Sequence, residues 1–145
     1  MPTTKRTRTL GATPKEVWGV VCDPYHLPRW WPKVERVEDV GRKRWTEVMR
    51  TGKGRSVRLD QRLDASEAMR LRRWKQELDG SPFERVVAEA ITEVRLEAAP
   101  DGTRVTIELR RRLKGTSRLG GFMFKRAGRK QLDEALDGLE RACVG

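Results

Sequence analysis

Few residues in this 145-residue chain are of the kinds that build catalytic or metal centres. There is one histidine, His26, one tyrosine, Tyr25, and two cysteines, Cys22 and Cys143. A single histidine excludes multi-histidine metal sites and leaves little material for a Ser-His-Asp triad. Two cysteines 121 positions apart make neither a disulfide framework nor a CxxC pair, so they are expected as free thiols in a reducing compartment. No GxGxxG and no phosphate-loop sequence is present, so nucleotide motifs are absent too. The longest apolar run, Val17–Cys22, contains a glycine and cannot span a bilayer, which needs ~20 apolar residues. The polar start lacks the apolar stretch of a secretion signal, so a cytoplasmic location is expected, with no membrane insertion and no cofactor.

Charge is abundant instead. Charged residues make up 37% of the chain and the net charge is +11, against a usual charged share of ~25%. Between Glu108 and Asp133 lie nine cations and no acid, leaving only +2 for the rest. The basic character is therefore local, on a strand end and the first half of a final helix. It suits a solvated face, an anionic head group, an acyl carrier or a nucleic acid.

The length fits one domain, residues 1–145, with enough chain for a real core. Residues 3–10 read as a polar strand. Thr13-Pro14-Lys15-Glu16 is a helix start, with a capping threonine, a proline at the first helical position and a glutamate three residues on. A second short helix runs towards Trp30 and is stopped by Pro32. The period then changes: segments near 34–40, 43–51, 54–64, 69–78, 88–98 and 103–113 read as strands joined by short Gly-, Asp- and Pro-containing turns. Short joints make successive strands antiparallel neighbours. The chain closes on a helix from about 117 to 143, amphipathic through Leu132, Ala135, Leu136 and Leu139. The expected fold is α+β, a curved antiparallel sheet burying its apolar face against that helix.

The inner face is expected to be partly polar. Strand alternation puts Trp45, Glu47 and Met49 on one face, Leu59 with Gln61 on the next strand, and Trp74 with Gln76 on a third, while Leu109 leads inward to Arg111. At 100° per residue the last helix turns Gly121, Lys125 and Gly128 to the same side as Leu132 and Leu136, with Phe122 flanking. Those glycines call for a cavity wall, a bend, or a later helix start at Gly121. Aromatic walls with a few convergent polar groups are the composition of a small-molecule site. Catalysis by His26 and base stacking by the tryptophans rank below the plain readings, a loop histidine and a core.

The stretch Ala12-Thr13-Pro14-Lys15-Glu16-Val17-Trp18, followed by Asp23-Pro24, Leu27-Pro28 and Trp30-Trp31-Pro32-Lys33-Val34, resembles the opening of the START-like (SRPBCC) superfamily. More narrowly it is similar to the polyketide cyclase/dehydrase and lipid-transport group, and Trp74, Pro82-Phe83 and Gly102-Thr103-Arg104-Val105-Thr106 follow in the expected order. The resemblance implies a helix-grip fold: a seven-stranded antiparallel sheet wrapped round the C-terminal helix, two short helices after the first strand, and an apolar cavity between. It implies binding or transport of a lipid-like or polyketide-like molecule. It carries no shared catalytic residue onto this chain.

The candidate ligand contacts are Trp45, Glu47, Met49, Leu59, Gln61, Trp74, Gln76, Leu109, Arg111, Phe122 and Lys125. Arg111 or Lys125 would meet an anionic head. A cyclase/dehydratase enzyme with Glu47 as general base is the alternative. Association with RNA or the ribosome through the basic stretch comes third, and pairing of edge strands in a homodimer is open.

Overall fold

The structure, a computed structural model, describes residues 3–115 and 118–144, with the side chains of 118–124 and 144 outside that description. Strand β1 (Thr3–Leu10) is followed by helix α1 (Pro14–Val21), a single 3-10 turn at Pro24–His26, and helix α2 (Leu27–Trp30). Six more strands follow: β2 (Val34–Glu38), β3 (Arg44–Arg50), β4 (Ser56–Glu67), β5 (Leu71–Glu77), β6 (Val87–Ala99) and β7 (Gly102–Leu113). Helix α3 (Arg118–Val144) closes the chain. It is already helical at Arg118, so a later start at Gly121 is not taken.

The sheet order is β1-β7-β6-β5-β4-β3-β2, and every pairing is antiparallel. This is the seven-stranded helix-grip arrangement. The meander runs from β2 to β7, and β1 returns to pair with β7, which places the two chain ends of the sheet beside each other. Local chemistry explains the start of α1: the Thr13 side chain accepts from the Glu16 amide at 3.2 Å. Its hydroxyl donates in turn to the Glu16 carboxylate at 3.1 Å, a variant of the capping box. Asp23 caps the next turn by accepting from the Tyr25 amide at 3.0 Å.

The core lies at the end of the inner face where the strands present Leu10, Val94, Leu96, Val105 and Ile107, against Leu132, Ala135, Leu136 and Leu139 of α3. Helix α3 packs on β1, β7, α1 and α2. Its approach to α2 is close: a Cβ at Gly138 would lie 2.8 Å from the Trp30 Cα. Two of the acids in the second half of α3, which oppose the helix dipole, find partners on β1. Arg6 reaches Asp133 at 3.3 Å and Arg8 reaches Asp137 at 2.6 Å.

The outer face carries charge in alternating sign. Glu93 sits beneath Arg73 (2.9 Å) and Arg95 (2.6 Å). Burial pushes its carboxyl up, but the hydrogen bonds and charges of those arginines hold it below the ordinary value.

Candidate functional site

Strand register assembles the site. Trp45 on β3 stands opposite Gln61 on β4, which stands opposite Gln76 on β5. One residue past the last β5–β6 pair, Lys75 with Ile91, the row leads to Ala90 on β6, which stands opposite Arg111 on β7. The neighbouring row runs Leu63, Trp74, Thr92, Leu109 and Thr4. Glu47 faces Leu59 across β3 and β4, and Met49 faces Val57. A one-residue slip would turn every one of these outward. The bulge between Leu63 and Ala65 falls beyond the row and leaves it intact.

Burial sorts these residues. Trp45, Glu47, Gln61, Trp74 and Leu109 are buried. Met49, Leu59, Gln76 and Arg111 are half-buried. The side chain of Phe122 lies outside the described residues. Lys125 corrects the helical projection: it is exposed. Burying an ammonium without a partner is costly, and the four-carbon stem lets its head remain in water.

Glu47 is the chemical centre of the row. The Trp45 indole Nε1 donates to its Oε2 at 3.0 Å, and the Gln61 side chain is a second hydrogen-bond partner. Burial pushes the carboxyl up to about 7; the two hydrogen bonds and the Arg111 charge pull against that and lose. Desolvation brings Arg111 down to about 10, with the Glu47 charge opposing. No ion pair joins the two among the described residues, and the hydrogen bond that the Arg111 guanidinium donates to the Arg110 carbonyl is long, 3.5 Å. The Gln76 amide nitrogen is buried with no partner among the described residues.

Arg111 also lines an open groove of about 130 Å³ between β1, β7 and α3, together with Thr4, Leu109, Lys125, Gly128 and Gln131. Gly128 keeps this wall close: a Cβ there would meet the Thr4 Oγ1 at 3.1 Å. A larger hollow of about 230 Å³ over β3, β4 and β5 is lined by Trp45 and Gln61 of this row together with Asp39, Arg44, Thr46, Asp60 and Glu77. Its polar side chains are engaged with one another: Arg44 pairs with Glu77 at 3.1 Å, and the Thr46 hydroxyl donates to Asp60 at 2.7 Å.

Two features escape the sequence reading. Arg72 points inward, buried, with its guanidinium 5.8 Å from the Trp45 ring centre. Alternation from Trp74 is the signal that places it there, but the doubled arginine looks like a surface pair. The second is a tryptophan chain of edge-on contacts: Trp30 to Trp31 at 5.4 Å, Trp31 to Trp74 at 6.0 Å, and Trp74 to Trp45 at 5.9 Å. These four are buried, so they are not a base-stacking surface. His26 sits apart, beside Asp23 (3.7 Å) and Arg29 (3.2 Å). Among the described residues no cluster of His, Cys, Asp or Glu could hold a metal ion, and no helix is long and apolar enough to cross a membrane.

Comparison with known proteins agrees with this architecture. A family model described as polyketide cyclase/dehydrase and lipid transport matches residues 1–144. No curated protein matches by sequence. Among solved structures, a START superfamily protein from Mycobacterium smegmatis superposes with a TM-score of 0.79 at 14% identity, over 98% of this chain and 97% of that one. A protein from Thermus thermophilus gives 0.75 at 21% identity, over 99% and 97%. The di-domain ARO/CYC StfQ from the steffimycin biosynthetic pathway gives 0.79 at 10% identity, covering 99% of this chain and 50% of that one. At these identities the likeness is one of fold.

Proposed function

The chain belongs to the polyketide cyclase/dehydrase and lipid transport family, and on that premise we propose that it binds a hydrophobic small molecule with a polar, anionic head between the sheet and α3. The observation that carries this is the under-satisfied polar row. Glu47, Gln61, Gln76 and Arg111 share an inner face with Trp45, Trp74 and Leu109. Yet among the described residues Gln76 leaves a buried amide nitrogen unpaired, and Arg111 has no carboxylate in contact. Buried polar groups without partners are costly in a core and useful in a binding site. The aromatic and aliphatic side chains would hold the apolar body. Gln61 and Gln76 would orient a polar group, and Arg111, with Lys125 at the groove rim, would meet the charge.

Native mass spectrometry of freshly purified protein, with organic extraction of bound material, tests this directly. One retained hydrophobic molecule per chain is expected. A clean apo mass, with thermal stability unmoved by lipid and polyketide panels, would overturn it. Arg111→Ala should weaken anionic ligands tenfold or more, about 1.4 kcal/mol, and neutral analogues little. Equal loss for both would remove the charge role.

A second reading is favoured by Glu47 alone. A carboxyl brought to about 7 is poised as a general base, and Arg111 could polarise an enolate oxygen in a cyclase or dehydratase. Loss of turnover but not of binding in Glu47→Gln would select this reading. Salt-steep RNA binding by the exposed Lys125, Arg126, Arg129 and Lys130 would instead select a polyanion partner.

A further inference from the structure

Resting on the reading of this site as a ligand cavity, we infer that it captures a monoanionic amphiphile together with one proton, the anion meeting Arg111 and the proton being held by Glu47. The argument is one of charge balance in a poorly solvated place. Glu47 is buried, and Arg111 is the cation coupled to it, yet the two make no ion pair within contact distance among the described residues. Arg111 faces the groove on its other side, where Thr4, Gln131 and the exposed Lys125 form the rim. The two charges therefore act on each other through space: Glu47 is held by the neutral Trp45 and Gln61 side chains, and Arg111, with one long bond to the Arg110 carbonyl, is left to meet an anion.

Among the described residues, Arg111 is the one charge that acts on Glu47. β2 presents Val37 opposite Glu47, and β4 presents Leu59 and Gln61. On β5, Arg72 lies against the ring of Trp45, and Lys125 stands in water. When a carboxylate docks on Arg111, the cluster would hold two negative charges and one positive. Neutrality returns when Glu47 takes a proton from solvent, so ligand anion, Glu47 carboxylate and one proton give a complex holding neutral Glu47. Its carboxyl already stands at about 7, so a second anion nearby is enough to tip it. A neutral ligand brings no such demand. The row thus selects by charge, and its affinity is set by pH.

The experiment measures binding of decanoate and of 1-decanol to the full chain by calorimetry, from pH 6.5 to 9, in buffers of different ionisation enthalpy. Decanoate stays ionised throughout, so a pH dependence belongs to the protein. The expected result is proton uptake approaching one per decanoate above pH 7.5, with affinity falling about tenfold per pH unit, and no such effects with decanol. In Glu47→Gln, decanoate binding should persist, without proton uptake and flat across that range. Arg111→Ala should lose the preference for decanoate over decanol. Decanoate binding that is flat in the wild type, or proton uptake that survives Glu47→Gln, overturns this inference and leaves the ligand cavity standing. Failure of both probes at every pH, with an empty native mass spectrum, overturns the cavity and the inference together.

Discussion

Two alanine substitutions in α3 should have opposite consequences, although both replace a buried glycine of one helix. At Gly138 an added Cβ falls on the Trp30 backbone, 2.8 Å from Cα and 2.9 Å from the carbonyl carbon, with the carbonyl oxygen closer still. Backbone cannot rotate aside, and Trp30 is held by its edge contact with Trp31. Overpacking costs ~1–3 kcal/mol, and a backbone collision puts this case at about 3. Alanine returns ~1 kcal/mol of helix propensity, for a net loss of about 2. In a domain of this size ~1 kcal/mol moves Tm by about 3 °C, so Gly138→Ala should melt about 6 °C lower. At Gly128 the added Cβ meets the Thr4 hydroxyl at 3.1 Å and its Cβ at 3.4 Å. That side chain can turn, so the propensity gain should survive and Tm should hold or rise by up to about 3 °C. Thermal and urea unfolding of the three proteins side by side, with unchanged m-values, is the assay. Gly138→Ala as stable as wild type, or Gly128→Ala losing as much as Gly138→Ala, would refute the packing argument.

Stability should also fall with rising pH on account of Glu47. A carboxyl raised from 4.5 to about 7 by burial binds its proton more tightly when folded; its contribution is therefore complete below pH 4.5 and lost as pH climbs past 7. Unfolding free energies from urea titrations between pH 4.5 and 8 should diverge between wild type and Glu47→Gln by about 3 kcal/mol, wild type losing with rising pH what the variant keeps; parallel curves would count against a buried ionisable group. Asp137→Ala removes the partner of Arg8, but that pair is exposed to solvent, so chemical denaturation should register less than ~1 kcal/mol. A loss above about 2 would mean that the β1–α3 contact depends on charge.

How far the sequence can be read depends on how local each cause is. The Thr13 cap and the prolines that bracket the two small helices act within four residues, and both are legible in the chain. Strand faces are legible where alternation is unbroken, as in Val105, Ile107 and Leu109, all of them buried. That regularity also puts Glu47, Gln61, Gln76 and Arg111 on one face. What the chain hides is the partner. Two acids of α3 look misplaced against the helix dipole until Arg6 and Arg8, more than 120 residues earlier, are brought alongside. Gly138 looks like any helical glycine until Trp30 arrives against it. Helical angle alone turns Lys125 inward, and angle does not say where a flexible stem carries its charge.

The inner face is built to two standards, and the difference bears on what the protein is for. Towards Leu10, Val105 and Ile107 it is closed by Leu132, Leu136 and Leu139, all at 0–1% exposure. Towards Trp45 and Arg111 the same sheet carries a carboxylate, two amides and the guanidinium groups of Arg111 and Arg72. A chain selected only for stability would place apolar side chains there, since a buried polar group left unpaired costs ~1–3 kcal/mol. Gln76→Leu tests whether that cost is being borne. The swap roughly conserves volume and removes the unpaired amide nitrogen, so the empty protein should gain ~1–2 kcal/mol. The same variant should lose much of the thermal stabilisation that a bound amphiphile gives, because one of its orienting groups is gone. Loss of stability in Gln76→Leu would show that the amide is satisfied and that the row is ordinary core. A gain in stability coupled to weaker binding would place the cost of the polar row in the empty site and its return in the occupied one.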